Sequence, residues 1–283
     1  MIARRSFLAS TAALAALTAL PRAARAATAL RVGMIPDAGA TQISIDQKKP
    51  LRDYLAAKLA RDVDLVIPTN YNATVEALGN GSLDFAYLGG LTYVKAHAQY
   101  GVVPLVQRAG DREFHSLFIT QAGSPIGSLK DLRGKKFAFG DINSTSGHLM
   151  PFYAMTQAGL DPDKDLSYRY TGNHPATAKA VESGAVDAGA IDESVYKAML
   201  DGGQLDRAKV RVFFTTPPFL DYVWVARKDT AAADRAAFAG AFLALRAPGD
   251  AAVLDILRGT SFVRANDGEY DLLRTIATKL KLL

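Results

Sequence analysis

The stretch Gly140-Asp141-Ile142-Asn143-Ser144-Thr145-Ser146-Gly147-His148-Leu149 sets three consecutive hydroxyls where an apolar run, 136–139, gives way to a segment, 149–159, that can turn helical. A strand feeding such a turn presents those hydroxyls beside the first N–H groups of a helix, which lack intrahelical partners and carry partial positive charge. That chemistry suits an oxyanion and holds it without a formal cation. Serine and threonine are also ordinary helix caps, so the turn alone is compatible with plain capping. Three further junctions share its character: Asn70-Tyr71-Asn72, Gly89-Gly90-Leu91-Thr92-Tyr93, and Thr171-Gly172-Asn173-His174-Pro175. Pro175 suits a first helical position, which puts His174 at the cap. Carboxylates stand at two more: Asp192 and Glu193 close the apolar run 186–191, and Asp221 precedes the run 222–226. Beside an oxyanion a carboxylate repels, unless the ligand brings a proton or an ammonium to donate. A buried acceptor left without a donor costs about 1–3 kcal/mol. Monoprotonated phosphate, phosphite or a phosphonate is therefore favoured over sulfate.

These junctions need strands to carry them. Apolar runs at 30–35, 63–67, 85–88 and 102–106 alternate with helical spacing such as Leu51, Tyr54, Leu55 and Leu59, a rhythm that predicts a parallel sheet covered on both faces. From residue 114 the pattern restarts, with runs at 114–120, 136–139, 166–170, 186–191 and 210–214, then 222–226, before a helical remainder. The last helices carry no strands of their own, so the chain is expected to return to its first half. The reading is α/β: two α/β domains joined by a two-strand hinge, with crossings near 107–114 and 219–227. One lobe comprises 27–107 and 226–283 and the other 108–225, and the ligand cleft lies between them. In open α/β sheets ligands sit beyond the carboxyl ends of strands, where all these junctions fall. The candidate ligand-binding residues are Tyr71, Tyr93, Ser144, Thr145, Ser146, His174, Asp192 and Asp221.

Residues 1–26 read as a cleaved export signal. Arg4-Arg5 precedes an apolar stretch, 7–20, and Ala24-Arg25-Ala26 forms a small-residue cleavage site. The arginine pair fits twin-arginine export, with a Sec signal as the alternative. The leader carries four of the 33 basic residues and none of the 28 acidic ones, so a mature excess of one remains. No basic stripe with interleaved aromatics appears, which argues against nucleic acid. The absence of cysteine suits an oxidising compartment and excludes a lipid-attachment cysteine. The four histidines show no metal-ligand spacing, and no cofactor motif is present.

The combination of Ser144-Thr145-Ser146-Gly147, Asn173-His174 with Gly184-x-Val186-Asp187-Ala188, Asp131-Leu132-x-Gly134-Lys135-Lys136, and Tyr71 with Gly81-x-x-Asp84 resembles the phosphate/phosphite/phosphonate-binding proteins of bacterial ABC transporters. The resemblance implies a type II periplasmic binding fold, a phosphorus oxyanion held by Ser144, Thr145, Ser146 and His174, and a contact from Tyr71 on the other lobe. By the same likeness the region of Asp192, Glu193 and Asp221 meets a proton, hydroxyl or amine of the ligand. It also implies a monomeric periplasmic receptor whose partners are an ABC permease and its ATPase. Where aminoalkyl-phosphonate binders offer a tyrosine after the first crossing, this chain has Phe114-His115. Two alternatives remain open: a ligand-sensing subunit of a two-component system, and a periplasmic phosphatase or esterase, although no Gly-x-Ser-x-Gly elbow or phosphate loop occurs.

Overall fold

The computed structural model describes residues 29–40 and 42–283, so the expected export signal, 1–26, lies outside the described residues. Its strands are β1 (Leu30–Met34), β2 (Val63–Val66), β3 (Phe85–Leu88), β4 (Val103–Arg108), β5 (Ser116–Gln121), β6 (Lys136–Phe139), β7 (Ser167–Tyr170), β8 (Ala188–Asp192), β9 (Val210–Thr215), β10 (Val223–Ala226) and β11 (Phe262–Arg264). They form two sheets. One runs β11-β4-β10-β3-β1-β2 and the other β7-β6-β8-β5-β9, and each carries a lobe, called first and second below.

The central strands of the first sheet, β3 and β10, are buried along their whole length, and their sequences are apolar throughout. Trp224 is fully buried there, between Tyr87 at 5.0 Å and Phe242 at 4.7 Å between ring centroids. In the second lobe the strand period of two splits the core. Ile119 and Ala138 face one cluster, whereas Phe118, Phe137 and Phe139 face another on the opposite side of the same sheet.

Both sheets are mixed, which corrects the parallel arrangement expected from the alternating pattern. Strand β10 runs antiparallel to β3 and β4, β11 antiparallel to β4, and β5 antiparallel to β8 and β9. Both kinds of pairing bury strands on two faces here, so hydrophobic patterning could not separate them. The C-terminal part also has a strand of its own, β11, too short at three residues to leave a period. The chain passes between the sheets twice, and the two passages pair: Phe114 and Phe219 exchange backbone hydrogen bonds of 3.1 and 2.9 Å in an antiparallel bridge.

Four polar caps start the helices that face the cleft. Asn70 Oδ1 accepts from Ala73 N–H at 2.8 Å, Ser144 Oγ from Gly147 N–H at 2.9 Å, Asn173 Oδ1 from Ala176 N–H at 2.9 Å, and Asp192 Oδ1 from Val195 N–H at 2.8 Å. Each follows the carboxyl end of a strand or the turn leaving it. The cap of the helix His174–Glu182 is Asn173, with His174 in the first helical position, one residue later than the Pro175 argument places it.

Candidate functional site

The serine turn is wound wider than an α-helix. Residues Thr145–Leu149 form a π-turn, closed by Leu149 N–H on Ser144 O at 3.0 Å, before the helix Met150–Gln157 begins. Such wide turns recur at functional sites because they loosen the backbone ladder and re-aim side chains. Ser144, Thr145 and Ser146 are all buried. Ser144 Oγ already accepts from Gly147, so its own proton remains to be donated. Gly147 is required by proximity. A Cβ there would meet Ser144 Oγ at 2.9 Å and His174 Cε1 at 3.0 Å, so only glycine lets the imidazole lie against the turn.

Thr145 reaches the first lobe. Its hydroxyl accepts from Leu91 N–H at 3.0 Å and donates to the Asp221 carboxyl, whose Oδ1 also accepts from Gly90 N–H at 2.9 Å. Here too the glycine makes room, because a Cβ on Gly89 would come within 3.2 Å of Thr145 Oγ1 and 3.3 Å of Asp221 Oδ1. The Tyr71 N–H donates to Asp141 of the second lobe, and His174 N–H donates to Asp37 O of the first at 3.2 Å. The lobes are thus joined by hydrogen bonds at the turn, and the site is closed over.

Two buried donors stand out in this saturated network. His174 is 1% exposed, and its Nδ1 accepts from Asp192 N–H at 3.3 Å. That bond places the ring proton on Nε2, which has no partner within the protein. Burial pushes the imidazole below its ordinary value against the pull of Asp192 and Asp37, so the ring is a neutral donor at neutral pH. Tyr71 is equally buried and its hydroxyl also lacks a partner. Asp37, Asp141 and Asp192 act electrostatically on both side chains, which places them in one buried cluster where the lobes meet.

Four carboxylates belong to that cluster, each in a different electrostatic setting. Burial drives Asp221 up to about 7, although the Gly90 N–H and the Thr145 hydroxyl pull it down, so it holds a proton through much of the neutral range. Burial also raises Asp141, which accepts from Asn143 N–H at 2.7 Å. Burial works against the Asp192 carboxylate too, but His174, Arg258 and the hydroxyls of Ser194 and Tyr222 hold it below the usual range. Asp37 is ion-paired with Arg258. A proton, hydrogen bonds, a helix start and a guanidinium therefore cancel what would otherwise repel an anion.

The structure brings together Tyr71, Ser144, Thr145, Ser146, His174, Asp192 and Asp221 from eight expected residues. Tyr93 is the exception and is corrected here. Its side chain is taken up within the first lobe, by the short 3-10 turn Asp267–Tyr270, rather than by the cleft. Its hydroxyl donates to Asp267 at 2.6 Å and its ring packs on Tyr270 at 4.6 Å. Glu193 turns to His115, accepting its N–H at 3.0 Å. Sequence reasoning passed over Asp37, Asp141, Tyr222 and Arg258. Asp37 and Asp141 do lie just past β1 and β6, where the strand-end rule points; nothing local marks Arg258. Among the described residues no group of three or more His, Cys, Asp and Glu side chains could hold a metal ion, and no helix is long and apolar enough to cross a membrane. Open cavities lie elsewhere, one of about 710 Å³ beside Arg31, Asp84 and Arg227 and one of about 400 Å³ beside Met150, Phe214 and Leu272.

Comparison with known proteins agrees with this geometry. The family model described as the periplasmic substrate-binding protein of phosphonate ABC transporters matches residues 32–270. A probable ABC transporter phosphite binding protein, PhnD1 of Prochlorococcus marinus, is 31% identical over 267 residues, 89% of each chain. Its structure in complex with methylphosphonate superposes with a TM-score of 0.83 at 30% identity, covering 90% of this chain and 99% of that one. The phosphonates-binding periplasmic protein of Escherichia coli is 24% identical over 88% of this chain and 76% of its own. Two lobes, a paired double crossing, a serine turn and a match to the family model over residues 32–270 lead to one conclusion: the chain belongs to the periplasmic phosphonate-binding proteins of ABC transporters.

Proposed function

We propose that this protein captures a small phosphorus oxyanion, a phosphonate, phosphite or phosphate, in the periplasm and presents it in the closed form to an ABC permease and its ATPase, acting as a monomer and without turnover. The observation that carries the reading is the pair of buried, unpartnered donors, His174 Nε2–H and Tyr71 O–H, beside the serine turn. Ser144 adds a hydroxyl proton, and protonated Asp221 adds a hydrogen that a ligand oxygen can accept. A fully ionised Asp221 would instead accept a proton from a monoprotonated ligand, so the complex holds one proton between them in either case. Sulfate brings no such proton. The methylphosphonate complex of the Prochlorococcus relative supports this ligand class.

The same accounting disfavours aminoalkyl phosphonates. Asp192 could attract an ammonium, but its Oδ1 accepts from Ser194 at 2.6 Å and Val195, and its Oδ2 from Tyr222 at 2.6 Å. Titration calorimetry with methylphosphonate, phosphite, phosphate, 2-aminoethylphosphonate and sulfate tests the reading. Tight binding is expected for at least one of the first three, weaker binding of the aminoethyl compound, and none of sulfate. Folded protein that gives no heat with any phosphorus anion overturns it.

A further inference from the structure

Arg258 sits just past the helix Ala251–Ile256 and has a left-handed backbone, with φ at 50°. Its side chain is mostly but not fully buried, 17% exposed, and the guanidinium reaches in two directions. One nitrogen pairs with Asp37 in the loop after β1, within the first lobe. The Nε–H crosses the cleft to Ser194 Oγ of the second lobe at 3.1 Å. Ser194 in turn donates to Asp192 Oδ1, and Tyr222 donates to both Asp192, at 2.6 Å, and Asp37, at 3.3 Å. The backbone of Asp192 fixes the His174 tautomer, and the backbone carbonyl of Asp37 receives the His174 N–H. The two carboxylates that this cation faces are thus the two residues that hold the imidazole in place.

We infer that Arg258 is a positioning residue for anion binding: it compensates Asp37 and Asp192 across the closed cleft, so that the residues orienting His174 do not repel the ligand His174 serves. This rests on the phosphorus-oxyanion reading above. A buried carboxylate close to an anion is costly in a poorly screened interior, and deleting its counter-charge leaves that cost uncancelled. Among the described residues the guanidinium's hydrogen bonds go to Ser194 and Asp37 and not to the serine turn, so its effect on the ligand passes through charge and through the Asp192 and Asp37 backbone.

A charge-cancellation cycle separates this role from simple packing. Calorimetry with methylphosphonate and phosphite is run on wild type, Arg258→Gln, Asp37→Asn, the double variant, Arg258→Lys and Ser194→Ala, each checked for folding by thermal unfolding without ligand. Arg258→Gln is expected to weaken binding by at least about tenfold, since removing the cation strands the buried carboxylates of Asp37 and Asp192. Asp37→Asn costs less than about threefold, because Arg258 keeps Asp192 as its counter-charge, and adding it to Arg258→Gln restores most of the loss. Arg258→Lys retains more affinity than Arg258→Gln, and Ser194→Ala loses about two- to fivefold with no change in ligand preference. A merely structural arginine would give additive losses and no recovery in the double variant, and that result overturns the inference, as does unchanged affinity in Arg258→Gln. If Arg258→Gln does not fold, the double variant decides: binding within about threefold of wild type supports the role, and a loss above about tenfold overturns it. Wild type that binds no phosphorus anion overturns the site reading and this inference together, whereas binding wild type with an indifferent Arg258→Gln overturns this inference alone.

Discussion

The two flanks of the cleft do the same work with different chemistry. On one, the helix Gly90–Tyr100 meets the serine turn mostly through neutral groups: Leu91 N–H to Thr145, Thr92 Oγ1–H to Asn143 O at 3.0 Å, and Lys95 to Asn143 Oδ1 at 2.6 Å. On the other, Asp37, Arg258, Asp192 and Tyr222 form a charged cluster around His174. Neutral hydrogen bonds contribute about 0.5–1.5 kcal/mol each, because water replaces them on opening. Buried charges are less forgiving, since an unmatched one cannot be traded for solvent while the cleft is shut. The neutral flank therefore tunes how readily the lobes close, and the charged flank decides whether an anion is tolerated once they have.

The largest expected effect contrasts the histidines of these flanks. His148, in the serine turn, has both ring nitrogens occupied, Nδ1 by Ile142 O at 2.7 Å and Nε2 by the Tyr170 hydroxyl at 3.0 Å. His174 keeps Nε2 without a partner. Changing His174 to Ala should weaken methylphosphonate binding by about a hundredfold with a small change in melting temperature, because a charge-assisted hydrogen bond to the ligand is lost and little packing with it. His148→Ala should lower the melting temperature by about 5 °C and alter affinity far less. Calorimetry and thermal melts on both variants read this directly, and an exchanged pattern would erase the distinction between the flanks.

Next in size is Asp221, which lies where the neutral flank meets the hinge. Its carboxyl is raised to about 7, so it is protonated below that pH and negative above it. Affinity for methylphosphonate should fall as pH rises from 6 to 9, as a charge appears beside the anion. Asp221→Asn stays neutral throughout, so the ratio of the two dissociation constants cancels the ligand's own titration and should widen by roughly tenfold across that range. Without ligand, a raised carboxyl costs stability as pH climbs from the unfolded-state value toward 7, and the variant should lose that decline. A constant ratio from pH 6 to 9 would mean that Asp221 does not titrate at the site.

Much of the neutral flank could be read from the chain because its parts are local. Ser144, Thr145, Ser146 and the Gly89-Gly90 pair each lie within a few residues of a strand end, and strand ends announce themselves through apolar runs. Tyr93 differs because its partners are not local: Asp267 and Tyr270, from the C-terminal part of the chain, take up its hydroxyl and its ring. The charged flank was legible only in part: His174 and Asp192 stand at strand ends and helix starts, whereas the pairing of Asp37 with Arg258 is not local at all. Asp37 and Arg258 are 221 residues apart and meet only because β11 and the helix before it return to the first sheet. That return depends on antiparallel register between short strands, which no periodicity records. His174 was found because Pro175 marks a helix start, but the Asp192 peptide that orients it, 18 residues on, could be seen only in the folded second lobe.

The smallest effect sharpens the comparison most. Thr92 is fully buried and its hydroxyl spans the cleft to Asn143 O, and neither residue is one of the unpartnered donors. Thr92→Val keeps the shape and removes one interlobe bond, leaving the Asn143 carbonyl without that donor. The closed form then loses about 1 kcal/mol relative to the open form, which corresponds to about fivefold in apparent affinity. Because the bond touches no ligand, that factor should be the same for methylphosphonate, phosphite and phosphate, measured as a parallel shift of all three dissociation constants. Unequal shifts would show that the neutral flank reads the ligand as well as the closure, and the division of labour between the flanks would have to be redrawn.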